Sequence, residues 1–124
     1  MKKMKYLLMS VAVFFSISTV AQKKMTRLAK LEIDSAQLDS YKAFLKDEIE
    51  TSLKVEAGVL TLYAVFEKKQ PTNVTILEIY ADTTAYKAHI ITPHFLKYKN
   101  GTLNMVKSLE LVEVDPLLPG MKIK

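Results

Sequence analysis

The side chains best suited to chemistry crowd into one stretch, Glu78 to Tyr98, which holds both histidines of the chain, His89 and His94. An imidazole with an unperturbed pKa of about 6.5 takes up a phenolic proton near neutral pH and returns it later. His89 is read as the base of such a site and His94 as a group that orients the substrate. On one continuous helix, residues five apart stand about 140° from each other and do not share a target. The Thr92-Pro93 step between them breaks the helix. A residue before proline avoids the helical region, and proline is best tolerated at the first position of a new helix. Thr92 is therefore expected to cap a second short helix that carries His94, Phe95 and Tyr98 and stops near Gly101, leaving the two rings on separate elements.

Glu78 and Tyr80 share one face of a strand with Ile76. A carboxylate in such surroundings needs a partner, and the histidines or a lysine are the candidates. Glu78 is expected to orient a histidine, or else to tie the strand to the broken helix, and Tyr80 to donate to a substrate oxygen. Phe95 reads as a cavity wall, with Tyr98 beside it on the substrate side, whereas Tyr41, Phe44 and Met105 read as core packing. The i, i+4 histidine spacing of a helical metal site is absent, and a metal would have to recruit Glu78 or Asp82, so no metal is expected. The chain has no cysteine, which excludes thiol catalysis, cysteine zinc sites, iron–sulfur ligation and a lipid anchor on cysteine.

These residues must be placed by a small set of elements. "TRLAKLEI" alternates Ala29, Leu31 and Ile33 against Leu28, Lys30 and Glu32, a first strand. The following segment shifts to helical spacing, with Leu38, Tyr41, Leu45, Ile49 and Leu53 as its stripe, Asp34 or Ser35 as N-cap and Gly58 beyond its end. "GVLTLYAVFE" and "VTILEIYA" read as a hairpin around the "KKQPTN" turn, and "SLELVEV" as the last strand. Between them, Asp82, Thr83 or Thr84 caps a short helix running toward Ile91. The order β-α-β-β-α-β, its second helical element broken in two, predicts an α+β, ferredoxin-like antiparallel sheet with helices on one face. In the second strand both faces are apolar, Val59, Tyr63 and Val65 against Leu60, Leu62 and Phe66, which predicts a second subunit packed sheet to sheet.

The chain opens with Lys2, Lys3 and Lys5, an apolar run from Tyr6 to Phe15, and a small-residue exit at Thr19 and Ala21. That is the layout of a secretory signal peptide over residues 1–21, so the chain is expected to be secreted or periplasmic. The run is shorter than the about 20 apolar residues of a membrane span, and no stable membrane insertion is expected after cleavage. The domain is placed at residues 22–115 and a proline-rich tail at 116–124. Three of the lysines behind the formal charge of +5 lie in the leader, and the rest are scattered among acids. No nucleic-acid partner is expected from such a surface.

Glu78-x-Tyr80 followed by Ala88-His89-x-x-Thr92-Pro93-His94-Phe95-x-x-Tyr98 resembles the signature of the antibiotic biosynthesis monooxygenase family, in particular its small quinol monooxygenase branch. The resemblance spans "RLAKLEI" to "SLELVEV". It implies a homodimer forming a dimeric α+β barrel, with a substrate cavity between sheet and helices. It also implies oxidation of a quinol-like or polyphenolic substrate by molecular oxygen without a cofactor. Relatives that bind haem or isomerise small metabolites leave two other readings open, a carrier or sensor of an aromatic ligand or haem, and an isomerase. Family members often carry tryptophan where this chain has Tyr80, and the chain has no tryptophan at all, which counts more against haem than against a quinol.

Overall fold

The computed structural model describes residues 12–13 and 23–120; the expected signal peptide falls almost wholly outside the described residues. The elements run β1 (Met25–Ile33), α1 (Leu38–Val55), β2 (Val59–Phe66), β3 (Asn73–Tyr80), α2 (Thr83–His89), α3 (Pro93–Gly101) and β4 (Val106–Val114). The strands stand in the order β2-β3-β1-β4, every neighbouring pair antiparallel, which is the ferredoxin-like arrangement expected from the element order. Among the described residues no helix is long and apolar enough to cross a membrane.

Alternation fixes the first strand: Ala29, Leu31 and Ile33 are buried while Lys30 and Glu32 are exposed. Asp34 turns the chain into α1 through a short 3-10 turn, its Oδ1 accepting from the Ala36 N–H at 3.0 Å. Along α1 the expected stripe holds at Tyr41 and Leu45, and Leu38 and Ile49 pack against the same core. It fails at Leu53, which is 47% exposed. Steps of four residues drift about 40° per step around a helix of 3.6 residues per turn, whereas alternating steps of four and three stay on one face. The buried face accordingly runs through Tyr41, Leu45, Glu48 and Ser52.

In β2 the simple alternation is broken by a bulge between Val59 and Thr61. The extra residue switches faces, so Val59 and Leu62 both reach the core and Leu60 is exposed. Cross-strand register then sorts the helix-facing side of the sheet into rows. One row is Leu62, Glu78, Arg27 and Glu113; the next is Ala64, Ile76, Ala29 and Leu111; the third is Phe66, Val74, Leu31 and Leu109. The opposite side carries Tyr63, Leu77, Leu28 and Val112 in one row, with Val65 and Ile79 nearby, and Tyr63 and Val65 are exposed.

Two short helices cover the sheet beside α1. Asp82 caps α2, accepting from the Ala85 N–H at 2.7 Å. Thr92 is extended (ψ 151°) ahead of Pro93, and its Oγ1 accepts from the Phe95 N–H while donating to the carbonyl of His89. One hydroxyl thus closes α2 and opens α3. Gly101 ends α3 so close to the Phe44 ring on α1 that a Cβ there would collide with it.

Candidate active site

A cavity of about 370 Å³ lies between the helix-facing side of the sheet and the helices. Arg27, Ala29, Leu31, Ile76 and Glu78 form its floor, and Leu45, Glu48, His89, Phe95 and Tyr98 its helical wall. The size and mostly apolar lining, with a few convergent polar groups, are those of a small-molecule site.

The break at Thr92-Pro93 brings the two histidines together. Their rings stand 6.2 Å apart, and both point to one carboxylate at the end of α1. Glu56 Oε2 lies 2.8 Å from His89 Nδ1 and 2.7 Å from His94 Nε2. His89 is 2% exposed, and its second nitrogen, Nε2, stands 3.2 Å from Glu48 Oε1. Ser52 Oγ donates to that same oxygen at 2.8 Å. Carboxylates accept and do not donate unless protonated, so an imidazole between two of them is satisfied by carrying both ring protons, or by sharing one with a neighbour. Burial alone would lower the His89 pKa, but the hydrogen bonds its ring donates to Glu48 and Glu56 outweigh it and hold the value above the ordinary one. Burial likewise opposes ionisation of Glu56, and the two imidazoles overcome it and lower its pKa.

The expected base meets a geometric obstacle here, because both nitrogens of His89 are taken. A buried cavity-lining group with an open acceptor is Glu48: Oε1 receives Ser52 and His89, and Oε2 has no partner among the described residues. His94 stands behind His89 and is not part of the cavity wall. Phe95 meets the wall edge-on to His89, ring centroids 5.1 Å apart, and Tyr98 continues it. The Tyr98 hydroxyl is 2.7 Å from that of Tyr41. Burial pushes Tyr41 up to about 12 and raises Tyr98 as well, so this pair stays protonated at neutral pH.

Glu78 does not support a histidine, contrary to the expectation. Its Oε1 accepts from the Tyr80 hydroxyl at 2.6 Å and its Oε2 faces Arg27 Nε at 3.4 Å. The reason is register: Arg27 is the direct cross-strand neighbour of Glu78, while the histidines hang from helices beyond the end of β3. Arg27 is buried, and its guanidinium lies 4.4 Å over the Tyr86 ring. Tyr80 is fully buried behind the floor, and its hydroxyl is spent on Glu78. Burial, together with the neighbouring Glu78 carboxylate, raises its pKa steeply.

Glu48, Ser52, Glu56 and Arg27 were not singled out from the sequence. Glu48 and Ser52 carried a signal, since both continue the Tyr41–Leu45 face at the spacing of four and three residues. Glu56 and Arg27 gain their roles only from tertiary placement. Glu56, His89 and His94 also offer one donor atom each within 4.8 Å of one another. Their N···O separations of 2.8 and 2.7 Å are hydrogen-bond lengths. Across a tetrahedral ion bound at about 2.0–2.2 Å the same atoms would stand about 3.4 Å apart. The carboxylate that joins the histidines is Glu56, and not the Glu78 or Asp82 expected to be recruited by a metal.

Three kinds of comparison bear on the site. The family model described as antibiotic biosynthesis monooxygenase matches residues 25–101. The crystal structure of a candidate antibiotic biosynthesis monooxygenase from Bacteroides thetaiotaomicron is 59% identical, with a TM-score of 0.81 over 82% of this chain and 97% of that one. A candidate monooxygenase from Lactobacillus acidophilus is 26% identical, with a TM-score of 0.71 over 76% of this chain and 51% of that one. A further candidate from Nitrosomonas europaea, 17% identical with a TM-score of 0.73 over 79% and 94%, shares the fold. No curated protein matches the chain.

Proposed function

The chain belongs to the antibiotic biosynthesis monooxygenase family, and from that premise we propose that it is a cofactor-independent monooxygenase of a small quinol-like or polyphenolic substrate, with Glu48 as its base. The observation that carries this reading is the unpartnered Oε2 of a buried carboxylate on the wall of an apolar cavity, backed through its other oxygen by His89. Such a carboxylate is placed to take a phenolic proton, and His89 and Ser52 steady it as its charge changes. His89 thereby acts through Glu48, and Glu56 with His94 holds the His89 ring.

The chemistry closes without an added reductant. Loss of a phenolic proton to Glu48 leaves an electron-rich phenolate that gives one electron to dioxygen, and the radical pair couples at the neighbouring ring carbon. Glu48 returns its proton to the outer oxygen, giving a ring hydroperoxide. The ring C–H proton then leaves to Glu48, a C=O bond forms as the O–O bond breaks, and the departing oxygen takes that proton and leaves as water. One oxygen atom enters the ring and the other becomes water, the substrate supplying all four electrons. The proton inventory is closed within the site, which suits a base on a buried side chain. Arg27 and Glu78 on the floor supply a fixed, balanced pair of charges beside the ring, with Tyr80 positioning Glu78 from behind.

Export directed by residues 1–21 and pairing of two copies through the open side of the sheet belong to the same reading; the exposed Tyr63 and Val65 on that side support the pairing. The test is oxygen uptake over a panel of hydroquinones under labelled dioxygen. One labelled atom in the product and one in water is the expected result. A folded preparation that consumes no oxygen with any member of the panel, or that returns unlabelled product, ends the reading.

A further inference from the structure

The two walls of the cavity are polarised in the same direction. On the floor, the row holding Glu78 and Arg27 gives way to Ile76, Ala29 and Leu111, and then to Val74, Leu31 and Leu109. On α1, Glu48 gives way to Leu45. The buried charged groups therefore gather at one end, and the other end is lined mainly by leucines, with Thr102 spent on the Tyr98 carbonyl and Lys99, Lys107 and Ser108 exposed at its edge. That apolar end runs out to the surface, because Leu103, Leu109 and Leu111 line the cavity yet are 64%, 45% and 49% exposed. Three exposed leucines continuous with the inner lining form a slot that burial of a ligand would favour and water does not. A bare hydroquinone would fill only the polar end and leave this slot wet.

We propose that the substrate is amphipathic: a phenolic or quinol ring that sits between Glu48 and the Arg27–Glu78 row, bearing a hydrocarbon chain that lies along Leu31, Leu109, Leu111 and Leu103 to the cavity mouth. The inference rests on the oxygenase reading for the ring and on the slot alone for the chain.

The experiment is a calorimetric titration without oxygen, using the full chain and a series of alkylhydroquinones from methyl to heptyl, each below its micelle concentration. Burial of each methylene tightens binding about threefold to fourfold, so Kd is expected to fall by that factor per carbon until the chain leaves the slot. Leu109→Ser and Leu111→Ser, both at exposed positions, should flatten the slope while leaving binding of the methyl compound nearly unchanged. A Kd independent of chain length overturns the proposal, as does a slope that survives in both variants. A second copy of the chain covering these leucines would give that flat profile, together with weakened self-association of the two variants in sedimentation. Because the titration involves no turnover, a clear slope without oxygen uptake removes the oxygenase reading and keeps this one, and turnover with a flat profile does the reverse.

Discussion

The cluster of Glu48, His89, Glu56 and His94 between the helices and the cluster of Arg27, Glu78 and Tyr80 on the sheet border the same cavity, yet they handle charge differently. The first joins two imidazoles to two carboxylates, and one of its carboxylate oxygens faces the cavity without a partner among the described residues. The second pairs a guanidinium that is always charged with a carboxylate whose two oxygens are both engaged. Strand register sets the sheet cluster, whereas the helix cluster depends on a broken helix folding back on the end of α1. If the site moves a proton as proposed, the helix cluster takes the change of charge while the sheet cluster stays as it is.

The contrast is broken most directly by exchanging the consequences of mutation. Glu48→Gln should lower turnover of a hydroquinone by about a hundredfold to ten-thousandfold, read in an oxygen electrode, while the variant remains folded. A variant that turns over at the parental rate would move the base elsewhere. Glu78→Ala should act on the fold, leaving Arg27 buried against the Tyr86 ring, with the exposed Glu113 at 3.9 Å as its one remaining carboxylate partner among the described residues. A loss of about 3–5 kcal/mol in urea unfolding is expected. If the loss is below about 1 kcal/mol, water reaches Arg27 and the sheet cluster is less static than its geometry indicates.

A smaller effect sharpens the picture of the helix cluster. Glu56 has a folded pKa below its ordinary 4.5, so its contribution to stability is present above that value and is lost as pH falls through the folded one. His89 has a folded pKa above its ordinary 6.5, so its contribution is full below that value and is lost as pH rises through the folded one. The gap in Tm between the parent and Glu56→Gln should therefore be widest from about pH 4.5 to 6.5 and narrow on both sides. A gap that does not vary with pH would mean that the two groups are not coupled. Least affected should be Leu53→Ser, within about 0.5 kcal/mol of the parent, because Leu53 lies outside both clusters and off the buried face of α1.

Much of this architecture is legible in the sequence, because strand alternation, the Asp82 and Thr92 caps and the Pro93 break are local signals. The break puts the two histidines on separate elements, and only the tertiary fold decides that they converge. Local pattern does not show which carboxylate they meet. Glu78 was the plausible partner by its neighbours in sequence, but sheet register assigns it to Arg27, 51 positions away. Glu56 sits at the end of a helix, where an exposed acidic residue would attract no notice, and only the return of α2 and α3 encloses it. Glu48 was concealed by a stripe counted in fours, which ran on to Leu53 and passed over the polar residues that the helical period turns inward.

The tight seat of Gly101 against Phe44 makes the separation of α1 and α3 adjustable from outside the site. A single methyl group there would meet the Phe44 ring, so that either this ring or the heel of α3, which carries Phe95 and Tyr98 into the cavity wall, has to give way. One hydrogen atom stands where any other residue would place carbon, a mechanical setting through which an engineer could press on the chamber wall from outside it.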